Sequence, residues 1–304
     1  MVACVLTVML LAVFLSKILL EDRWFLAKFP FYVPAVLALP AALVAGLAGA
    51  GPWWWRAGLV AAAGGLGGTC LYIDQPMLFS SSMPSTKRGE LRVMTYNVMA
   101  YMISEKEIEK AIREADPDVL CVVEGTFGQA PPGLVRLLGK EYRWAVGKRL
   151  SIATRLPLGD SGMILDERNV KALAAQVRVN GEDVTVVAVD VRPPVRRDDW
   201  AAFDELYAVI QMQLSEGRPF VLSGDLNVPR GSYHLRRATA GLTDAFQAAP
   251  AGRHVATWPS WLPLWQIDHA FNSPGVVPAR AEVLEVFGSD HLPIVVEYEM
   301  VGSR

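Results

Sequence analysis

Hydrophobic and polar positions divide the chain into two unlike parts. Three long apolar stretches come first. Residues 2–20 have Thr7, Ser16 and Lys17 as their only polar side chains, and residues 29–55 and 57–73 carry no charge at all. A membrane-crossing helix needs about 20 apolar residues, so the pattern predicts three spans, near residues 2–20, 31–51 and 57–73. Gly51-Pro52 followed by Trp53, Trp54, Trp55 and Arg56 predicts a tight turn with an interfacial aromatic belt. Lys17 lies near a span end, where its ammonium can snorkel to the interface. Pro34 and Pro40 predict kinks in the second span, which membrane helices tolerate. A cleaved leader peptide fits poorly, because the first stretch has no basic n-region and two more apolar stretches follow. Gly64-Gly65-Leu66-Gly67-Gly68 follows no strand and lacks a Lys-Ser/Thr ending, so close helix packing is expected there, not a phosphate loop.

From about Leu91 the pattern changes to short apolar runs separated by polar turns. Strands are predicted over residues 91–96, 119–123, 151–154, 172–179, 184–189, 220–222, 267–271 and 281–286. Asn180-Gly181 supplies a hairpin turn between two of them. Helices are predicted over 105–115, with Ile108 and Ile112 on one face, and over 198–214, with Asp198 or Asp199 as cap. Strands mixed with amphipathic helices predict a layered α/β domain. The division is then a membrane module over residues 1–75, a linker over 76–90 containing the polar run Ser80 to Ser85, and a catalytic domain over 91–300.

Composition changes the picture only in places. The 52% hydrophobic content is concentrated at the N-terminus. Three scattered cysteines show no Cys-x-x-Cys spacing, so no zinc site or disulfide framework is indicated. A net charge of −2 provides no global basic field for nucleic acid.

Candidate chemistry sits where apolar runs end. Glu124 closes Val122-Val123, a position that suits an oxygen-preferring cation such as Mg²⁺ but equally suits a surface carboxylate at a strand–loop junction. Asp225 and Asn227 in Gly224-Asp225-Leu226-Asn227 point to one side in extended backbone, where an acceptor and an amide donor can hold a phosphate oxygen and a water. An Asx-turn leaving the strand is the alternative. Asp268 lies in a strand-like run and can orient the imidazole of His291, while His269 alternates to the other face and reads as structural. Asp290-His291 pairs a carboxylate with an imidazole before the apolar run Ile294-Val295-Val296, as a metal ligand beside a general base would, or as a plain turn would. His234 and His254 lie in loop-like surroundings without an evident partner.

Met94-Thr95-Tyr96-Asn97, Val123-Glu124, Ser223-Gly224-Asp225-Leu226-Asn227, Thr257-Trp258-Pro259, Ile267-Asp268-His269 and Ser289-Asp290-His291-Leu292-Pro293 follow one another in this order. The ordered set resembles the endonuclease/exonuclease/phosphatase superfamily, over roughly residues 91–298. With its apolar N-terminus the chain resembles a membrane-anchored bacterial subgroup that includes the teicoplanin-resistance membrane phosphatases. The resemblance implies a four-layer α/β sandwich, two β-sheets flanked by helices, with the active site at one edge. It implies Asn97 and Glu124 as Mg²⁺ ligands, with Mn²⁺ as a substitute, and Asp290 as support for the metal or its waters. Asp225 and Asn227 would position the water and phosphate, and His291 would be the base, oriented by Asp268. One position departs from the pattern: Asp190, in Val187-Ala188-Val189-Asp190-Val191-Arg192-Pro193, stands where the family usually has a phosphate-contacting His or Tyr. A carboxylate there repels phosphate unless protonated or bound to a cation, and Arg192 can supply positive charge from the same side.

The expected function is therefore a membrane-tethered, Mg²⁺-dependent phosphoesterase acting on a phosphorylated small molecule or lipid, including a lipid-linked pyrophosphate. A nuclease is the alternative, disfavoured by the absence of a basic stripe with interleaved aromatics. A membrane protein that keeps the fold without activity is the third reading. No protein partner is evident. The expected location is a cell membrane. Lys17, Arg23 and Lys28 flank the first loop and place it, and with three spans the catalytic domain, in the cytoplasm. The resemblance to the resistance-type phosphatases places that domain outside.

Overall fold

The computed structural model describes residues 2–24, 26–49, 52–74, 88–99, 103–249 and 255–301. The core of the expected tether and His254 lie outside the described residues. The chain forms two compact units, one of Met1–Phe79 with Pro229–Arg236 and one of Ser80–Val228 with Arg237–Arg304.

The first unit holds α1 (Val2–Leu19), the single turn α2 (Lys28–Phe31), α3 (Ala35–Ala48) and α4 (Trp53–Asp74). Among the described residues α4 is the one helix long and apolar enough to cross a membrane. The second expected span is shorter than its apolar run. Pro34 sits at the N-cap of α3 with φ −66°, so it starts the helix and does not kink a longer one, while Pro40 lies inside it. Trp53, Trp54 and Trp55 form the first turn of α4 and are exposed. Lys17 does not snorkel: it is buried, and its ammonium lies 2.7 Å from Oδ1 of Asp74. Oδ2 of Asp74 also accepts from the backbone N–H of Ala35 at 3.1 Å, so one carboxylate ties α1, α3 and α4 together. Of the glycine run in α4, Gly67 explains the packing. A Cβ there would stand 2.7 Å from Leu39 and 3.1 Å from the Phe14 ring. The later segment Pro229–Arg236 joins this unit through Asp22, which accepts from the Ser232 hydroxyl at 2.6 Å and the Tyr233 N–H at 2.7 Å. His234, expected in a loop, lies in the short helix α8 (Tyr233–Ala238).

The second unit is a sandwich of two six-stranded mixed sheets. One contains β1 (Leu91–Asn97), β2 (Val119–Phe127), β3 (Arg143–Val146), β4 (Lys148–Thr154), β11 (Val276–Val283) and β12 (Ile294–Met300), in the order β11-β12-β1-β2-β4-β3. The other contains β5 (Leu158–Asp166), β6 (Val170–Val179), β7 (Glu182–Val191), β8 (Phe220–Asp225), β9 (Thr243–Asp244) and β10 (Asp268–Asn272), in the order β5-β6-β7-β8-β10-β9. Among the described strands, only β1–β2 and β7–β8 pair in parallel. Helices α5 (Glu105–Ala115), α6 (Pro132–Leu138), α7 (Ala201–Ser215) and α9 (Ala245–Ala248) complete the described α-helices.

Period-two alternation in β1 explains the layering. Met94 and Tyr96 face outward and pack with Ile108, Ile112 and Leu134 of α5 and α6. Thr95 and Asn97 face the other sheet, where the Thr95 hydroxyl donates to Ser223 Oγ at 2.6 Å and the Asn97 amide to Asp225 Oδ2 at 3.0 Å. The β6–β7 hairpin turns on Asn180 and Gly181, both left-handed as a type I′ turn requires. Two boundaries differ from expectation. A 3-10 turn over Arg197–Trp200 precedes α7, and Asp199 accepts from the Arg196 N–H at 2.6 Å instead of capping the helix. Glu124 does not end β2: the ladder to β4 breaks after Val123 and resumes at Phe127, with Glu124 in the left-handed region at φ 54°.

Gly224 is the tightest point in the second sheet. A Cβ there would stand 1.9 Å from the Val189 carbonyl oxygen of β7, a backbone atom that cannot step aside. Gly224→Ala should therefore destabilise the full chain by about 3 kcal/mol or more. Gly162→Ala, with open space around it, should stay within about 0.5 kcal/mol. Thermal unfolding in mild detergent, followed by tryptophan fluorescence, measures both. Equal midpoints for the two variants would refute the contact.

Candidate active site

Strand register brings three carboxylates side by side. Asp190 of β7 is paired with Asp225 of β8, and Asp225 with Asp268 of β10. Residues opposite one another on adjacent strands share a face, about 5 Å apart. Asp190, Asp225 and Asp268 are all buried. Such a row persists only if cations or donors compensate the repulsion.

Compensation comes from the loops. The Asn97 and Asn227 amides each donate to Oδ2 of Asp225 at 3.0 Å, and the Asn227 backbone N–H donates to Oδ1 at 2.9 Å. Asn227 is left-handed, φ 52°, so backbone beyond Asp225 is not extended. The expected same-side geometry gives way to an Asx-turn that still returns the amide to Asp225. His291 is buried and donates from Nδ1 to Asp268 at 2.8 Å, while its Nε2 lies 3.7 Å from Asp225. His269 faces away and donates from Nε2 to the Val228 carbonyl at 2.9 Å.

Thr257-Trp258-Pro259 holds both acidic ends of this arrangement. Thr257 Oγ1 accepts from the Ile267 and Asp268 N–H groups at 3.3 Å, and the Trp258 indole donates to Asp290 Oδ2 at 3.2 Å. The Ser260 N–H donates to the Asp290 carbonyl at 2.7 Å, and the Leu292 N–H to the Thr257 carbonyl at 2.8 Å, which brackets His291.

Charge sharing follows from burial. Burial alone would lower the His291 imidazole, but Asp268 and Asp225 outweigh it and push it up to about 10. Burial raises Asp225 well above the carboxylate range; His291 opposes this, and Asp268 and Asp190 add to it. Burial and then Glu124 raise Asp190 to about 6, against Arg149, Lys171 and Arg192.

A pocket of about 370 Å³ opens beside this row, lined in part by Glu124, Arg149, Asp190, Arg192 and Asn227. Asp190 and Arg192 thus share one side, as alternation requires. Glu124 Oε2 pairs with the Arg149 guanidinium at 2.5 Å. Sequence reasoning missed Arg149; the only available signal was the basic pair Lys148-Arg149 after Gly147 at a strand start. Glu124, Arg149 and Asn227 are all non-glycine residues in the left-handed region. Strain of this kind collects at functional sites.

Two donor sets could hold a metal. The ligand atoms of Asp225, Asp268 and His291 lie within 4.8 Å of one another. A protonated imidazole has no free lone pair, and both ring nitrogens already face carboxylates, so this set is better described as a hydrogen-bonded relay. Glu124, Asp290 and the Asn97 carbonyl oxygen offer only oxygen, the donor chemistry of a hard divalent cation. Those residues fit Mg²⁺ by type.

Residues 94–291 match the Endonuclease/Exonuclease/phosphatase family. The chain belongs to this family. Enzymes of the family hydrolyse phosphoester bonds and usually use a divalent metal. In structure the chain is similar to the mannosyl-6-phosphatase Bt3783 of Bacteroides thetaiotaomicron VPI-5482, with TM-score 0.57 and 16% identity over 68% of this chain and 99% of that one. It is similar to D. rerio TDP2 complexed with a single-strand DNA product, with TM-score 0.53 and 16% identity over 68% and 98%. A family protein of Beutenbergia cavernae DSM 12333 gives TM-score 0.53 and 21% identity over 71% and 73%. At these identities the likeness is one of fold: two mixed β-sheets flanked by helices.

The chain has four histidines, few enough for selectively labelled imidazoles to be followed by NMR. Asp268→Asn should lower the His291 pKa from about 10 toward the ordinary range, because it removes the largest raising charge. An unchanged titration would remove Asp268 as the partner.

Proposed function

We propose that the protein is a membrane-tethered, Mg²⁺-dependent phosphoesterase that hydrolyses a phosphate ester or pyrophosphate carried on a lipid. The observation that carries this reading is His291 held between Asp268 and Asp225, at the same sheet end as Asn97, Asn227 and Glu124. Asn97, Glu124 and Asp290 would hold Mg²⁺, which when bound supplies charge for the phosphoryl oxygens.

The chain's own residues account for the proton chemistry. A charged His291, fixed by Asp268, donates toward a phosphoryl oxygen as negative charge develops. Asp225, raised by burial and close to His291, accepts the proton of the attacking water. This gives the base role, first expected at His291, to Asp225, with His291 as donor. The Asn227 amide fixes Asp225 for that role. Support for the tether is the length and composition of α4, together with the shorter apolar helices α1 and α3. A nuclease lacks the basic stripe with interleaved aromatics that would support it.

Turnover of a polyprenyl diphosphate, a generic phosphodiester and DNA, each with and without Mg²⁺, tests the proposal. The lipid should be hydrolysed best and only with the cation. Glu124→Gln should lower that turnover about a hundredfold or more while the chain stays folded. Full activity of this variant at limiting Mg²⁺ would remove Glu124 from the metal site, and preference for DNA would favour the nuclease.

The tether has its own test. The full chain should stay in the membrane fraction after alkaline carbonate or high salt and leave it only with detergent. Release by carbonate alone would sink the membrane assignment.

A further inference from the structure

The pocket beside Glu124 and Asn227 is walled by four arginines from three segments. Arg149 comes from β4, Arg168 from the β5–β6 turn, and Arg192 and Arg196 from the stretch after β7. The wall is braced from behind. The Arg192 N–H donates to the Asn169 carbonyl at 2.8 Å, the Asn169 amide to Asp199 at 3.4 Å, and the Arg196 N–H to Asp199 at 2.6 Å. Asp199 is thereby engaged with a backbone N–H and an amide. Arg149 is taken by Glu124. Among the described residues no carboxylate forms an ion pair with Arg168, Arg192 or Arg196.

Exposed arginines are common on protein surfaces, and solvation alone would account for any one of these. Arg192 partly offsets Asp190, and with Arg168 and Arg196 on the same cavity wall, in a chain of net charge −2, it concentrates positive potential where the cavity meets the candidate metal and water-positioning residues. Guanidinium forks match phosphate oxygens two at a time. We propose that Arg168, Arg192 and Arg196 form an anion subsite that takes a second phosphoryl group of the substrate, adjacent to the one cleaved. The proposal rests on the phosphoesterase reading and selects, within it, substrates with two linked phosphoryl groups over simple monoesters.

The test uses the full chain in detergent, in two arms. In metal-free buffer, calorimetry with inorganic pyrophosphate and with inorganic phosphate should show pyrophosphate binding tighter. The Arg168→Ala, Arg192→Ala, Arg196→Ala triple variant should lose at least about tenfold in pyrophosphate affinity. Arg143→Ala, on β3 outside the pocket, controls for net charge and should lose almost nothing. With Mg²⁺, the triple variant should raise KM for farnesyl diphosphate at least about tenfold more than it raises KM for farnesyl phosphate. Arg192→Lys, which keeps charge but not the fork, should fall between. Equal pyrophosphate affinity in wild type and triple variant, or equal loss on both farnesyl substrates, overturns the subsite. If wild type hydrolyses neither substrate, the enzymatic reading fails, and calorimetry still decides the subsite.

Discussion

Three buried carboxylates in register across β7, β8 and β10 are the constraint around which the catalytic unit is organised. Neighbouring like charges oppose folding, and burial increases the cost. Each nearby polar group answers that cost. His291 lies between Asp268 and Asp225, two amides converge on one oxygen of Asp225, and a threonine hydroxyl fixes the backbone at Asp268. The two sheets are joined at the same place, because Thr95 and Asn97 reach across to Ser223 and Asp225 from one face of β1. The contact that assembles the sandwich is thus also the contact that assembles the site.

Much of this was legible from spacing. Alternation put His269 on the face opposite Asp268. Asn180-Gly181 marked the hairpin because a type I′ turn needs two left-handed residues. The site residues cluster where apolar runs end, and those ends were visible. Other features were hidden for physical reasons. β5 is an edge strand that is largely exposed, so no alternation of apolar residues announced it. The left-handed conformations of Glu124 and Arg149 depend on tertiary contacts that local propensity does not encode. Arg149 reaches Glu124 from a different strand, a pairing no local motif records. Lys17 looked like a snorkelling residue because its partner, Asp74, is 57 positions away.

Proteins of similar fold include a mannosyl-6-phosphatase and a TDP2 bound to a single-strand DNA product. What distinguishes one member from another must then lie in the residues around the shared core. Here one such residue is Asp190, a buried carboxylate that lines the pocket beside Glu124 and Arg192. Burial and Glu124 raise its pKa to about 6. Arg149 and Arg192 stand close enough to oppose what charge remains.

Acidic and basic groups are partitioned by depth. The carboxylate row and His291 are buried, where interactions are strong and costly to leave unpaired. Arg168, Arg192 and Arg196 are exposed on the neighbouring wall, where water screens their mutual repulsion until an anion displaces it. A buried acidic row suits the imidazolium of His291, and an exposed basic wall suits an arriving anion. This division lets a chain with slight negative net charge present positive potential at one mouth. Net charge therefore says little about what the site attracts, and the local order of charges along the pocket says much more.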